Sequence, residues 1–600
     1  QDRSTPGFLK LYKINRNSYY DISLIGEKIS DGIPGLWIGN INKKCIYFED
    51  FFINKEQKKI EKKIYTGNNI FLYIGVLFKN PTKNSKFLLR DIKITKIVLN
   101  NVMNNFIIFV PYCSVYRKYI IDCLKSIENQ KYSNYEVIII NDGANDTNEI
   151  NNFIRDKSQY ILLNFEKNNG PAFSKWKFIE YIQNNLDKYN VNDICIIVDG
   201  DDYLLDNALN IINNTYNNTK CWFTFGESLG KFCKKIKEQF QLNKNKLKNI
   251  RKLKWGYNHP RTFKIFLLNK FSKEDFIFKN KWFLKGTDIP LVYNSIELSG
   301  INKIKHIDNK IYYYREHENN SYKKITHKYK NEILKYVNNL KPKKKLEEDI
   351  HIVMCCWKRF EHLELQIKNL NTQTYNKRIH LHLLNNNQKD KEKILKIVNK
   401  CKDLYDIKIS LNHYDNKYYG FQRFLYIKDV LLKKTILDYV IIIDDDQLFT
   451  NDWVEKIWNK RKPKTYSGWF IKYWNSKFDY WNGSIIKIED CKNNKQLTTK
   501  RCHYVGTAGS IIDVSIFNED SLLWKIPTDL PKGVSVYNIE DLWLSYICFQ
   551  YNYSLERSFL PELKTFSIRN SSSDKVSLTR KLRKEKQLLF LYLLKRNWFL

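Results

Sequence analysis

The stretch that decides the fold is Ile194-Cys-Ile-Ile-Val-Asp-Gly-Asp-Asp-Tyr203. Its apolar part does not alternate with polar residues, which predicts a strand buried on both faces, as in a parallel sheet covered by helices. Asp199, Asp201 and Asp202 follow where that strand ends, and ligands of such sheets bind beyond the carboxyl ends of the strands. Carboxylates held this close repel one another unless a cation joins them. The stretch therefore predicts a site for Mg²⁺ or Mn²⁺, which prefer oxygen ligands.

The same pattern occurs a second time at Tyr439-Val-Ile-Ile-Ile-Asp-Asp-Asp-Gln447, where the acids are Asp444, Asp445 and Asp446. Two units of this kind in one chain indicate a duplicated enzyme or a fusion of two related domains.

Length and composition set the frame for these two units. A chain of 600 residues with 43% hydrophobic residues is long enough for about three or four packed domains. The formal net charge of +37 invites a nucleic-acid interpretation. However, an excess of Lys over Arg, with abundant Asn, Ile and Tyr, is typical of an AT-rich coding sequence, and the basic residues are spread along the chain. Nucleic-acid binding is therefore disfavoured, whereas attraction of nucleotide sugars, anionic glycans or anionic membranes is expected.

Cysteine usage and hydropathy bear on the compartment. The twelve cysteines form no CxxC pair and no dense framework, which favours buried thiols in a reducing compartment. No apolar run approaches the roughly 18 residues of a membrane span, and no signal peptide is recognisable. We therefore expect a cytoplasmic protein. Gln1 stands where a Met would start a chain, so removal of a longer N-terminus stays open.

The chain divides into four segments by pattern. Residues 1–100 carry short β-rich runs at near-regular spacing, which predicts a small antiparallel β-sandwich. It is similar to jelly-roll modules that bind carbohydrate, and its aromatic residues either stack on sugars or fill a core. Two α/β domains are predicted at 101–325 and 349–600, joined by a Lys-rich segment at 326–348 that begins as a helix and continues as a solvated linker.

Alternation of strands and helices from Phe106 onward predicts a doubly wound α/β sheet. The ordered series of motifs in this segment resembles the family 2 glycosyltransferases of the GT-A fold. The series consists of Pro111-Tyr112, Tyr135-Glu-Val-Ile-Ile-Ile-Asn-Asp-Gly143, Asn169-Gly170 and Val198-Asp-Gly-Asp-Asp202.

The resemblance implies a role for each matching residue of the first α/β domain. It implies that a nucleotide-sugar donor, with a UDP-sugar preferred, is bound by Pro111, Asp142, Asn169, Gly170, Asp199 and Arg315. It implies that Asp201 and His317 hold the divalent metal, and that Asp288 takes the proton of the acceptor hydroxyl. The alternatives are a turn aspartate at 142, a helix N-cap at 288 and a structural histidine at 317.

The second α/β domain follows the same order of motifs. Asp444 and Asp446 match the Asp-x-Asp spacing, Asp444 as a donor contact and Asp446 as a metal ligand, while Gly420 and Arg423 resemble the glycine-led helix that approaches the donor. The segment Asn538-Ile-Glu-Asp541 supplies Asp541 as the candidate base and Glu540 as an acceptor-binding neighbour. Trp469 is a candidate for stacking on an acceptor sugar, with core packing as the alternative. No histidine corresponds to His317, so the metal shell of this domain is incomplete.

The sequence therefore predicts an α/β chain with two GT-A-like, Rossmann-like domains behind a small β-sandwich. The expected activity is bifunctional, metal-dependent transfer of sugars to hydroxyls of a glycan or glycoprotein, with inversion by single displacement. One alternative is a single active domain with the other serving for binding. A second is a nucleic-acid-binding protein or nucleotidyltransferase. The basic, then apolar tail after Arg580 either packs on the preceding domain or contacts a membrane surface, and the oligomeric state stays open.

Overall fold

The computed structural model describes residues 103–230, 250–252, 257–318, 327–474, 479–481, 484–485, 502–558, 565–567, 582–596 and 598, together with the strands of the first hundred residues. The chain divides into two compact units, residues 1–101 with 546–553 and residues 102–545 with 554–600.

The first unit is built from antiparallel strands. They are β1 (Pro6–Lys13), β2 (Tyr19–Lys28), β3 (Ile33–Gly39), β4 (Cys45–Asp50), β5 (Lys58–Tyr65), β6 (Phe71–Lys79) and β7 (Phe87–Ile97). They form one sheet in the order β1-β6-β3-β4 and another in the order β5-β2-β7. Ile38 and Ile74 are buried. The aromatic side chains on which the sugar-binding alternative depends lie outside the described residues.

The first half of the second unit is organised around an eight-stranded sheet in the order β10-β9-β8-β11-β14-β13-β17-β12. Strands β10, β9, β8 and β11 run parallel, β14 is antiparallel to its neighbours β11 and β13, and β13 is parallel to β17. The strands of this half are β8 (Phe106–Tyr112), β9 (Tyr135–Asp142), β10 (Tyr160–Phe165), β11 (Ile194–Ile197), β12 (Tyr203–Leu204), β13 (Phe223–Leu229), β14 (Asn258–Lys264), β15 (Ile277–Phe278), β16 (Lys281–Trp282) and β17 (Ile304–Tyr313).

The second half repeats this topology with a seven-stranded sheet in the order β20-β19-β18-β21-β27-β23-β28. Its neighbouring strands are parallel, parallel, parallel, antiparallel, antiparallel and parallel along that order, as in the first half from β10 to β17. The strands are β18 (Ile350–Cys356), β19 (Ile379–Asn385), β20 (Lys408–His413), β21 (Tyr439–Ile443), β22 (Gln447–Phe449), β23 (Thr465–Gly468), β24 (Ile471–Tyr473), β25 (Ser484–Ile485), β26 (Tyr504–Val505), β27 (Ser510–Asp513), β28 (Ser554–Arg557) and β29 (Thr565–Ser567).

Helices cover both sheets, and the burial expected for the deciding strand is confirmed. Alternate residues of β11 enter two different cores, Cys195 and Ile197 on one face and Ile194 and Ile196 on the other. The helices are α1 (Ile120–Glu128), α2 (Asn148–Ile154), α3 (Pro171–Asn184), α4 (Ala208–Thr219), α5 (Ile265–Leu268), α6 (Asp288–Ser299), α7 (His327–Asn339), α8 (Leu363–Asn371), α9 (Lys391–Leu404), α10 (Gln422–Tyr426), α11 (Leu432–Lys434), α12 (Trp453–Asn459), α13 (Glu540–Gln550) and α14 (Arg583–Leu594). The fold class is thus α/β with mixed sheets, because β14 and β27 run against the parallel strands.

The Lys-rich segment between the halves contacts the first half through its helix and Leu346, whereas most residues from Lys341 to Glu347 are exposed. Its helix α7 buries Ile333 and Val337 in the first core. Arg251 donates to the Val337 carbonyl at 2.6 Å, and the Leu346 amide donates to the Leu298 carbonyl at 2.9 Å.

Apolar residues of the tail helix α14 and of the segment after it pack against the rest of the second half. Phe590 and Trp598 are buried against Trp474, with ring centroids 4.7 and 5.5 Å from that indole. The prediction that the tail packs on the preceding domain is therefore confirmed. None of the helices that the structure describes combines the length and the apolar character needed to cross a bilayer.

Lys303 joins the two halves through buried charge. Its ammonium contacts Asp438 at 2.6 Å and also pairs with Glu348. Burial alone would lower the pKa of Lys303, but the two carboxylates more than offset this and raise it. The side-chain amide of Asn192 makes a further contact between the halves by donating to the Thr435 carbonyl at 2.7 Å.

We predict that Lys303→Ala destabilises the protein by about 3–5 kcal/mol, because it removes the direct cation partner of the largely buried Asp438 and one of the two cations at Glu348, which keeps Arg461 at 3.1 Å. The matched control is Lys279→Ala, since Lys279 is 73% exposed and its pair with Glu332 is 3.6 Å long. Urea denaturation of both variants measures the effect. Equal midpoints for the two variants would contradict the role given to Lys303.

Candidate active site

The acid cluster of the first half lies at the carboxyl end of β11. The Asp201 carboxylate meets the His317 imidazole, with Oδ2 and Nε2 2.8 Å apart, and both side chains are largely buried. Gly200 lies between the acids because a Cβ there would overlap the Pro111 carbonyl of the neighbouring strand β8. Pro111 thus fixes the position of the acidic turn through its backbone.

Asp202 holds two neighbouring segments of the site together through hydrogen bonds. Its Oδ2 accepts from the Tyr312 hydroxyl and its Oδ1 from the Arg315 amide, each at 2.8 Å. These bonds hold the end of β17 beside the acidic turn and so bring His317 to Asp201. The Arg315 guanidinium itself pairs with Asp122 at 3.1 Å, so its predicted phosphate contact stays a prediction.

Burial, reinforced by the crowding of acids, sets the electrostatics here. Burial, together with Asp288 and Asp201, raises the pKa of Asp199 to about 6 in spite of Lys175. Burial followed by repulsion from Asp201 and Asp199 raises the pKa of Asp202 to about 9. Burial and mutual repulsion thus both disfavour the ionised form of these carboxyls.

These residues fit a divalent cation. The Asp201 oxygen and the His317 nitrogen lie 2.8 Å apart, so one cation could contact both after a small separation, and it would relieve the repulsion that adds to burial in raising the pKa of the neighbouring carboxyls. Mn²⁺ and Mg²⁺ are commonly held by one or two protein carboxylates and completed by substrate phosphates. Imidazole is a ligand that first-row transition ions also accept.

Asp142 at the end of β9 fixes the loop that precedes α3. Its two oxygens accept the backbone amides of Asn169 and Gly170 at 2.9 and 2.7 Å. Gly170 has a φ of 93°, a conformation that favours glycine. Both oxygens of Asp142 thus accept hydrogen bonds from the backbone. In the structure Asp142 positions the loop before α3, and the donor contact expected from the sequence stays a prediction.

Helix α3 in turn delivers a buried cation to the candidate base. The Lys175 ammonium lies 3.3 Å from one oxygen of Asp288, and the Arg261 guanidinium lies 2.9 Å from the other. Burial would raise the pKa of Asp288, but Arg261 and Lys175 more than offset it and hold that pKa well below its usual range. Asp288 is therefore a carboxylate at neutral pH.

Three neighbours of the acids were not identified from the sequence. Lys175 and Arg261 are described above, and His259 Nε2 lies 3.7 Å from Asp199 while its ring stacks on Tyr312. Burial and Arg261 lower the pKa of His259 well below its usual value, so this imidazole is neutral. The one available signal was the polar run Asn258-His-Pro-Arg-Thr262, which forms β14 itself.

The acids of the second half have arginine partners. Arg359 lies 2.9 Å from both Asp445 and Asp446. Arg423 lies 3.0 Å from Asp444 and 3.3 Å from Glu540. Asp446 thus already pairs with a guanidinium, and these residues do not fit a divalent cation as they stand.

The structure brings together four of the predicted residues of the second half, Gly420, Arg423, Asp444 and Glu540. Arg423 also donates to the Gly420 carbonyl at 2.9 Å. Burial, with Asp541 and Asp444, raises the pKa of Glu540 to about 7 against the effect of Arg423.

The remaining two predicted residues of this half lie near other groups. Asp541 accepts a hydrogen bond from the Tyr504 hydroxyl. Trp469 is half-buried, and its amide donates to the Gly509 carbonyl at 3.3 Å.

A cavity of about 1010 Å³ lies where the two halves meet, at the end of the strands opposite to the acids. Its lining includes Asn105, Asp193, Lys264 and Asp438, and none of the predicted site residues belongs to it. We therefore place the candidate active site at the acid clusters, where strand ends, cations and carboxylates converge.

The first sheet carries carboxylates beyond its central strand, at the edge where open α/β sheets bind ligands, as expected for a GT-A-like domain. Residues 107–276 match the family model described as Glycosyl transferase family 2. The first half of the chain therefore carries a family 2 glycosyltransferase domain.

Similarity to solved structures is confined to part of each chain. A structure of S. aureus TarS 1–349 in complex with UDP-GlcNAc is 18% identical, covers 37% of this chain and 61% of its own, and has a TM-score of 0.29. The mannosyltransferase PcManGT from Pyrobaculum calidifontis, in complex with GDP-Man and Mn²⁺, is 13% identical, covers 37% and 60%, and has a TM-score of 0.26. The chain thus spans about three fifths of the length of these structures. Comparison with curated proteins gave no match.

We predict that Gly420→Ala costs about 1–3 kcal/mol of stability, because the new Cβ would overlap Glu540 Oε1. In a Glu540→Ala background the same change should cost clearly less, since the overlapping carboxyl is gone. Denaturation of the four proteins gives the coupling energy. Additive costs would show that Gly420 does not make room for Glu540.

Proposed function

We propose that the first half transfers a sugar from a nucleotide-sugar donor to an acceptor hydroxyl, assisted by a divalent cation at Asp201 and His317. The observation that carries this proposal is the pairing of these two side chains at 2.8 Å, beyond the central strand of a family 2 domain. A UDP-sugar is the preferred donor, a glycan or glycoprotein is the proposed acceptor, and the proposed compartment is the cytoplasm.

The residues of the chain then divide the work. A cation bound there would neutralise charge on the departing diphosphate. The bond between the sugar carbon and the diphosphate oxygen breaks as the acceptor oxygen bonds to that carbon from the opposite side, which inverts the configuration. Asp288 takes the proton of the acceptor hydroxyl, and Lys175 and Arg261 hold its carboxylate in place.

For the second half we propose binding without a metal, in preference to a second metal-dependent transfer. Arg359 and Arg423 already supply two positive charges to Asp444, Asp445 and Asp446. A fixed guanidinium can bind phosphate or carboxylate groups bidentately once an anion competes for it. This half is therefore suited to hold part of an anionic donor or acceptor.

We predict that Asp201→Ala lowers metal-dependent turnover of nucleotide sugars on the order of 100-fold or more, because Lewis-acid help contributes several kcal/mol to the barrier. His317→Gln should act in the same direction. The measurement is release of nucleoside diphosphate from a panel of nucleotide sugars with Mn²⁺ or Mg²⁺, with and without glycan acceptors.

The matched variant is Asp446→Ala in the second half, which should leave metal dependence and the rate of donor turnover within about twofold of the unmodified protein. Equal losses of metal-dependent turnover in Asp201→Ala and Asp446→Ala would reject the proposal that the second half binds without a metal. They would instead support a metal site in each half. Turnover unaffected by Asp201→Ala would reject the proposed function.

The charge environment of Asp288 gives a pH prediction. Since its pKa is held well below its usual value, Asp288 should stay ionised and limit kcat/KM only at strongly acidic pH. Lys175→Met removes one of the two cations, so the pKa rises and the acidic limb of kcat/KM should move to higher pH. Lys177→Met is the control, because Lys177 pairs with Glu180 on the same helix. An unmoved limb in Lys175→Met would show that Asp288 is not the base.

A further inference from the structure

Three histidines share one face of the second sheet. His380 and His382 alternate along β19, so both side chains project to the same side of the sheet. His351 on β18 is the registered partner of His380. The opposite face of these strands contributes Ile352, Ile379 and Leu381 to a hydrophobic core. The imidazoles are thus gathered on a face separate from that core.

Their nitrogen atoms converge. Each ring offers one ligand atom, and the three atoms lie within 4.8 Å of one another. His351 Nδ1 and His382 Nε2 are 2.8 Å apart, and the rings of His380 and His382 have centroids 4.1 Å apart. Three imidazoles at one point form a donor set typical of Zn²⁺ sites with an open fourth position.

Two hydroxyl groups fix the outer nitrogens of this cluster. His380 Nε2 contacts Ser410 Oγ at 2.7 Å, and His382 Nδ1 contacts the Tyr426 hydroxyl at 3.0 Å. Metal-binding histidines almost always use their second ring nitrogen in this way, because the bond sets the tautomer and the ring orientation. The second nitrogen of each of these two rings is then the one that could bind a metal ion.

The cluster is buried and lies beside a negative charge. His351 and His382 are buried, and Asp349 interacts electrostatically with His351 and His380. A carboxylate beside three imidazoles favours the binding of a cation.

We propose that His351, His380 and His382 bind a divalent transition-metal ion, with Zn²⁺ the best match. The ion would tie β18 to β19 near their amino ends, whereas the acid clusters follow the carboxyl ends of the strands. The proposed role is therefore structural and independent of sugar transfer. A tetrahedral ion requires the two nitrogens that are now 2.8 Å apart to separate by roughly half an ångström, given Zn–N bonds of about 2.0–2.1 Å.

The test is titration of the full chain, freed of metal by a chelator, with ZnCl₂ in a calorimeter and with CoCl₂ followed by visible absorption. It is carried out in the Asp201→Ala background, so that the proposed site of the first half does not contribute. We expect the protein to bind one equivalent of Zn²⁺ and to show the visible absorption of four-coordinate Co²⁺. The unfolding temperature should rise when either ion binds. Failure of sugar transfer would leave this result untouched.

Variants assign the binding to the cluster. His382→Gln and the less buried His380→Gln should each weaken Zn²⁺ binding at least tenfold, and Ser410→Ala should weaken it without removing a ligand. The control is His306→Gln, which alters the other three-residue group of the described residues, Glu227, His306 and Asp308. Absence of saturable binding, or binding that survives His380→Gln unchanged, would overturn the proposal. Loss in His306→Gln alone would move the site to the first half.

Discussion

The burial and mutual repulsion of the carboxylates at the end of β11 are the constraint on which the first half depends. Asp199, Asp201 and Asp202 lie within four residues of one another after one strand, and Asp288 at the start of α6 is close enough to interact with Asp199. Each neighbour of the cluster reduces part of this repulsion: His317 at Asp201, the Tyr312 hydroxyl at Asp202, and two cations at Asp288. The same contacts fix the end of β17 and the start of α6. The contacts that reduce the repulsion between the acids are therefore also the contacts that determine the local fold.

The second half meets the same constraint with different side chains. Its sheet has the same order and strand directions, and three aspartates again follow the central strand. Here Arg359 and Arg423 supply permanent positive charge, which an arginine retains at any physiological pH. A bound metal ion can arrive with the donor and leave with the product, whereas a guanidinium stays with the chain. Duplication of a fold therefore need not duplicate its chemistry.

The sequence predicted what depends on local pattern. Non-alternating apolar runs identified β11 and β21, and the acids after them indicated the edge at which the candidate site lies, because strand burial and side-chain type can be inferred from about ten residues. It did not identify Lys175 and Arg261 at Asp288, nor Arg359 at Asp446. Those contacts join residues about 27 to 113 positions apart, and Lys is too abundant in this chain for one of them to stand out. The antiparallel strand β14 was missed because a seven-residue run rich in His, Pro, Arg and Lys lacks the usual strand pattern.

The basic composition also acquires a structural meaning. Lys175, Lys220 and Lys303 are all largely buried, and each pairs with an aspartate from a different part of the chain. Asp438 immediately precedes β21 and Asp444 follows it, so acids at both ends of one strand have cationic partners, an interface lysine at one end and an arginine at the other. Because a buried carboxylate without a cation is costly, these three lysines stabilise the fold. Net charge alone is therefore a poor guide to what this protein binds.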